Sequence, residues 1–421
     1  MKFFATILVG ASALAIAAPG SAQRLGSERP KDAKPDVGRT TTTSATTTTG
    51  RKLNISKEAQ KAIVELQNAV NTNDTANIPA KLAAAQAVAK TADDKYFIAI
   101  NQVKAAVAAN DAIALKAGVE AMEASGGADP ADLSARFTDL GKRLQTAGQM
   151  DAAAQAYQKA VGFDSANPST LALFASLREK QGQKAEAVSL MQKSFAASKA
   201  KGTKVAENNF KFAAGLAYNM RSPAAIDIAR EWIAAYPSTT SWRDGLRIYR
   251  DISAAKGAQL ADTMRLARAA NALSGESDYF ALANALVSDG ALVEAKAVLA
   301  EAAKAPGVDV SKQSFKGLAA QAAKAPAAAA VDASAKAALA SGDATALIDA
   351  GDSLFGAGSY AQAAKLYRAA VPKDANLANL RLGMALARAG DKPGAEAALN
   401  AVTGPSQSLA RFWLLWLATR N

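Results

Sequence analysis

The sequence predicts an all-α fold, a superhelix of antiparallel helix pairs, and three observations predict it. A 34-residue pattern is written twice without a gap between residues 134 and 201. Phe137, Leu140, Gly141, Leu144, Gly148, Ala153, Tyr157 and Ala160 return as Leu171, Phe174, Ala175, Arg178, Gly182, Ala187, Met191 and Ser194, large opposite large and small opposite small except at the Leu144 slot. Within each copy apolar residues fall three or four apart, stop at a glycine and resume, which spells two short amphipathic helices around a tight turn. Half of all residues are hydrophobic but only 6% are aromatic, so these helices pack largely through alanine.

Gly148 and Gly182 supply the turns, because glycine takes the left-handed conformation that ends a helix at no steric cost. Gly141 and Ala153 are expected where the two backbones of a pair meet. Phe137, Leu140 and Tyr157 are expected to fill the seam between them.

At the start of the chain, Lys2 precedes the apolar run from Phe3 to Ala18 and the small residues Pro19, Gly20, Ser21 and Ala22. This reads as a removable secretory signal over residues 1–22, too short to span a bilayer, with an N-terminal anchor or a buried helix as the other reading. It places the protein in the periplasm or outside the cell, and with no cysteine anywhere a lipidated-cysteine anchor is excluded. Residues 23–52 turn threonine-rich and bury too little apolar surface to offset their ordering entropy, so they read as a disordered tether.

Residues 53–127 suit two atypical N-terminal hairpins, with turns at Asn71 to Thr75, Thr91 to Asp94, and Asn110 with Asp111. Gly126, Gly127 and Pro130 mark a boundary. Residues 128–275 hold the strong pair and then, after a four-residue slip through the basic stretch Lys199 to Lys204, a copy with Gly215, Tyr218, Ala225, Ala229, Trp232 and Pro237. Trp242, Leu246 and Tyr249 open a looser one. Residues 276–409 restore the pattern at Tyr279, Leu282, Ala283, Leu286, Gly290 and Ala295, then at Leu347, Ala350, Gly351, Leu354, Gly358, Ala363 and Tyr367, and again at Leu382, Gly383, Gly390, Ala395 and Leu399. Between the first two lies one worn copy with Gly317 in a small slot, weakened by Pro326. Residues 410–421 form a lone helix whose Trp413 and Trp416 fall in register and seal the end of the stack, a membrane-surface or partner-docking helix being the alternative.

The run Phe137-x-x-Leu140-Gly141-x-x-Leu144, followed by Ala153, Tyr157 and Ala160, resembles the tetratricopeptide repeat (TPR) family, with Phe for Trp, Leu for Tyr and Ser165 where proline is usual. The resemblance implies a TPR-like solenoid whose inner groove binds proteins or peptides through exposed residues of each first helix. Carried over by register, these are Lys142, Gln145, Thr146, Ser176, Glu179, Lys180, Asn284, Asp352 and Arg388. Ordinary solvated helix faces are the alternative for each. Thr138 with Lys142 does not supply the paired lysines and asparagines of the family's carboxylate clamp.

The formal charge of +12 favours anionic partners such as acidic proteins or envelope surfaces. Nucleic acid is not expected, since no interleaved basic and aromatic stacking motif occurs. The chain has no histidine and no cysteine, which removes Ser-His-Asp and Cys-His catalysis and the usual zinc sites. No phosphate-cradling loop or cofactor motif is present. The carboxylate pairs Asp93 with Asp94 and Glu276 with Asp278 sit at predicted helix starts, where acidic residues cap. The sequence therefore reads as a non-enzymatic, protein-binding scaffold or adaptor of the cell envelope. The alternatives are a binder of cell wall or anionic membrane surface and, further off, a wall-degrading hydrolase or lyase.

Overall fold

A computed structural model describes residues 54–420, so the expected signal and threonine-rich tether lie outside the described residues. Within them run twenty-one α-helices, a 3-10 turn at Gly404–Ser406 and no strand. The first eleven helices are α1 (Lys57–Asn71), α2 (Ile78–Val88), α3 (Ala92–Ala108), α4 (Ala112–Ala124), α5 (Pro130–Thr146), α6 (Met150–Phe163), α7 (Pro168–Lys180), α8 (Lys184–Ala200), α9 (Glu207–Asn219), α10 (Ala224–Ala235) and α11 (Thr239–Ile252). The other ten are α12 (Gly257–Ala269), α13 (Gly275–Ser288), α14 (Leu292–Ala302), α15 (Gln313–Ala322), α16 (Ala328–Ser341), α17 (Ala344–Gly356), α18 (Tyr360–Ala370), α19 (Ala375–Ala389), α20 (Lys392–Asn400) and α21 (Gln407–Thr419). Among the described residues no helix is long and apolar enough to cross a membrane.

Odd and even helices pair into hairpins from α1 with α2 to α13 with α14, and each even helix also packs on the odd helix that follows it. That nearest-neighbour stacking lets one apolar core run from Ala59 to Ile248, with no single centre that limits its length. The α5/α6 and α7/α8 turns are made by Gly148 and Gly182 at φ +77° and +78°. In weaker copies the same left-handed position falls to Asn110, Arg221 and Ala254, which is why the glycine signal fades there.

Gly141 does not meet a backbone as the sequence suggested. A methyl group added at Gly141 would lie 2.8 Å from the Tyr157 ring, and one at Gly351 would lie 2.6 Å from the Tyr367 ring. In these two copies the glycine of the first helix is a socket for a large side chain of the second. Gly383 with Leu399 repeats the arrangement, at 2.5 Å.

The second half departs from an open coil. Helices α15 and α16 do not pack as a hairpin: α15 lies on α13 and α14, α16 lies on α17 and α18, and α14 packs directly on α17. Residues 261–267 of α12 and 380–387 of α19 are buried without a break, so the middle of each helix is covered on all sides. Helix α21 lies on α19 and α20 and also reaches back to α10. Its Phe412 and Trp413 are fully buried, and they share a core with Trp242, Tyr249 and Leu266. The carboxy-terminal repeats thus close on the middle of the chain.

Candidate docking trough

First helices bury their slot residues and turn the intervening ones outward. On α5, Phe137, Leu140 and Leu144 are buried while Lys142 and Thr146 are exposed. The same first-helix socket for a second-helix side chain recurs on α17 and α19. The array is a tetratricopeptide-like superhelix. No protein-family model matches the sequence, and no curated protein does. The fold is similar to solved TPR structures: YrrB, a TPR protein with an unusual peptide-binding site (12% identity, 60% of this chain and 91% of that chain, TM-score 0.22); a tetratricopeptide repeat protein from Parabacteroides merdae (14% identity, 69% and 99%, TM-score 0.30); and the C-terminal part of a TPR protein from Cytophaga hutchinsonii (13% identity, 81% and 100%, TM-score 0.27).

A recess on the first-helix side of this TPR-like array lies between α11 and α13. Two contiguous clefts of about 380 and 430 Å3 share Arg250, Ser277 and Asp278 and form one trough. Leu246, Met264 and Ala267 make an apolar floor. Arg243, Arg247 and Arg250 stand four and three residues apart, so α11 presents all three along one face. Arg243 pairs with its neighbour Asp244 at 3.3 Å; Arg250 pairs with Asp251 at 3.3 Å and lies 3.9 Å from Asp278 across the trough. Asp278 also accepts the Ser274 N–H at 2.9 Å, and Asp251 accepts the Tyr218 hydroxyl at 2.8 Å. Arg247 is exposed and has no carboxylate partner among the described residues. The trough therefore offers an apolar floor beside an exposed guanidinium, Arg247, with Lys256 at its other end.

The groove residues carried over by register fall in several places. Lys142 and Thr146 line a separate cleft of about 430 Å3 with Asn110, Ala112 and Arg143, between the start of α4 and the end of α5. Gln145 accepts the Tyr157 hydroxyl at 3.2 Å. Ser176 and Glu179 are half-buried, and Lys180 and Asn284 are exposed. Arg388 donates to the Tyr360 hydroxyl at 3.0 Å and covers its ring.

Asp352 requires a correction: it is buried and belongs to no accessible groove. It accepts from Arg381 and, at 2.5 Å, from the Tyr367 hydroxyl. The reason is the closure of the second half, which brings Arg381 of α19 and Arg265 of α12 to the face that α17 would otherwise show to water. A buried ion cluster fills that contact. Arg265 reaches Asp262 at 2.6 Å and Glu294 at 2.7 Å, and Arg381 reaches Asp289 at 3.1 Å and Asp262 at 3.6 Å. Burial alone would lower the pKa of Arg265, but Glu294, Asp352 and Asp262 hold it well above its ordinary value. Burial pushes Asp289 up even with Arg381 beside it.

The carboxylate pairs are engaged. Asp94 accepts N–H groups of Ser56, Lys90 and Thr91 and the Ser56 hydroxyl, and Thr91 Oγ1 accepts the Asp94 N–H in return. Glu276 accepts from Lys312 at 2.7 and 2.8 Å and from the Asp309 N–H at 3.3 Å, and the Lys312 hydrogen bond lowers its pKa. A general acid at neutral pH needs the opposite shift.

Sequence reading missed the arginines of α11. Their spacing was readable, but the repeat pattern is transposed there: Gly245 precedes Leu246, and its open side is filled by Ile233 Cδ1 of α10, at 2.6 Å from where a Cβ would sit, and not by a residue of α12. Register transfer from the strong copies could not place the outward residues of this helix.

Proposed function

We propose that this chain is a protein-binding scaffold of the cell envelope that holds an extended partner segment in the trough between α11 and α13. One observation carries the reading: α11 lines an apolar-floored recess with three arginines, of which Arg247 lacks a partner. A segment with small apolar side chains and one acidic group matches that surface, since a charge-assisted pair beside a desolvated floor gives both orientation and affinity. The envelope location rests on the Lys2 and Phe3 to Ala22 pattern. The closed second half leaves the first-helix face from α5 to α13 as the surface for exchange with partners.

The test is recovery of proteins from envelope extract on immobilised wild-type protein and on Arg247→Glu. Defined proteins should come down with the wild type and be depleted by the charge reversal, while Lys180→Glu on α7 leaves them in place. Recovery at background with the wild type would count against a scaffold, and recovery indifferent to Arg247 would move the site elsewhere. The net charge of +12 favours a second reading, attachment to an anionic wall polymer or lipid surface. That reading requires sedimentation with peptidoglycan or anionic vesicles that weakens with salt.

A further inference from the structure

The two helices that form the main wall and floor of the trough, α11 and α12, belong to one hairpin, yet they pack on each other less extensively than the helices of any other hairpin in the array. Their connection gives little help: the turn places Ala254, a residue with a side chain, at φ +50°. Interhelix spacing is normally fixed by side chains interdigitating along the pair. Here α11 packs mainly on α10 and α12 on α13, and side chains of a third element bridge the two.

That element is α21. On the α11 side, the Phe412 ring lies 5.5 Å from the Tyr249 ring, and Arg230 of α10 lies 6.0 Å from the centre of the Phe412 ring. On the α12 side, Trp416 Nε1 donates to the Ala269 carbonyl at 3.2 Å, across 147 residues of sequence. Trp416 also shares a crevice with Trp242 of α11 and with Ala269, Ala270 and Asn271 at the end of α12. The faces of α11 and α12 that α21 does not touch are those that line the trough, through Arg247 and Arg250 on one and Met264 and Ala267 on the other.

We infer that α21 is a staple that sets the separation of the trough walls, with Phe412 and Trp416 acting as positioning residues for the partner site. The purpose of the spacing rests on the docking reading above; the spacing itself is measured without any partner. Loss of the staple leaves the arginines in place on α11 but frees that helix to move relative to the floor.

The absence of native cysteine makes the test direct, because paired spin labels go only where they are placed. Labels at Thr240→Cys on α11 and Asn284→Cys on α13 report across the trough, and labels at Lys142→Cys and Lys180→Cys report on the α5 and α7 repeats far from α21. Phe412→Ala and Trp416→Ala should lengthen or broaden the first distance distribution and leave the second unchanged. Trp416→Phe keeps a ring and loses only the donated N–H, so it should broaden the first distribution less, with full helix content by circular dichroism; it decides the matter if the alanine variants lose helix. An unchanged Thr240 to Asn284 distribution in folded variants overturns the inference, as does equal broadening at both pairs. Failure of the wild type to recover a partner would sink the docking reading and leave this distance result standing.

Discussion

Gly356 on α17 lies against the main chain of Glu294 on α14, so close that an added Cβ would come 2.6 Å from the Glu294 nitrogen. This contact is where the array skips its worn copy: α14 and α17 stack as consecutive neighbours, and α15 and α16 are left to pack on either side. It also positions the Glu294 carboxylate for Arg265. Alanine is the better helix former by about 1 kcal/mol. Because the neighbouring atoms are backbone and cannot swing aside, Gly356→Ala should nonetheless destabilise, by about 1–3 kcal/mol of overpacking. Urea denaturation checks the sign, and a stabilised variant would mean that α14 and α17 have slack between them.

Arg381 is the second joint of the closed half. It faces Asp262, Asp289 and Asp352 from α19, and its removal leaves Asp289 and Asp352 without their paired guanidinium while Asp262 keeps Arg265. Breaking a buried pair by deleting one partner costs about 3–5 kcal/mol, far more than the intact pair contributes. Arg381→Met should therefore lower amide protection in α12, α17, α19 and α21 while α5 to α8 keep theirs, because stacked repeats lose stability locally. Hydrogen exchange resolved by peptide distinguishes this from uniform loss, which would mean that the whole array unfolds as one unit.

Much of the fold was legible because a repeat restates its packing rule at a constant interval. Phe137, Leu140, Tyr157 and Ala160 are buried in the phase their spacing implied, and the α5/α6 and α7/α8 turns fall on the in-phase glycines. Phase alone says less about what a small residue is for. Gly141 receives a ring, whereas Gly215 has open space where a Cβ would point. Closure of the second half was not legible, because it depends on contacts between residues far apart in sequence that share no period. Its local traces were charges placed among buried positions, Asp262 and Arg265 on α12 and Arg381 on α19. The trough escaped for a related reason, since the transposed Gly245 and Leu246 put α11 out of step with the copies used as a ruler.

Ala254 and Gly182 occupy corresponding turn positions with the same left-handed backbone, at φ +50° and +78°. A side chain in that region costs roughly 1–2 kcal/mol, offset in part by the smaller entropy it loses on folding compared with glycine. Ala254→Gly should stabilise by about 0.5–1 kcal/mol, and Gly182→Ala should destabilise by a similar amount. Paired thermal melts test both. Opposite signs confirm a shared turn geometry, and equal signs would show that the α11/α12 turn is held by something other than its local backbone.

Asp94 ties the first two hairpins together, since it completes the N-terminal cap of α3 and accepts from Ser56, the N-cap of α1. Burial by itself would raise its pKa, but the Thr91, Ser56 and Lys90 N–H groups and the Ser56 hydroxyl bring it from 3.8 down to about 2. A carboxylate whose folded pKa lies below its unfolded one stabilises the fold fully above the unfolded value and loses that contribution as pH falls through the folded value. Asp94→Asn keeps the shape and removes the charge, so at pH 7 it should cost about 1–2 kcal/mol, the range for a lost cap and charge-assisted bonds. Below about pH 4 the difference from wild type should narrow, and near pH 2 most of it should be gone. Guanidinium titrations at pH 7, 4 and 2 give the comparison, with guanidinium chosen because its ionic strength suppresses the surface pairs that titrate over the same range. A penalty that stays constant down to pH 2 would show that Asp94 acts through its shape and neutral hydrogen bonds, and that its charge does not join α1 to α3.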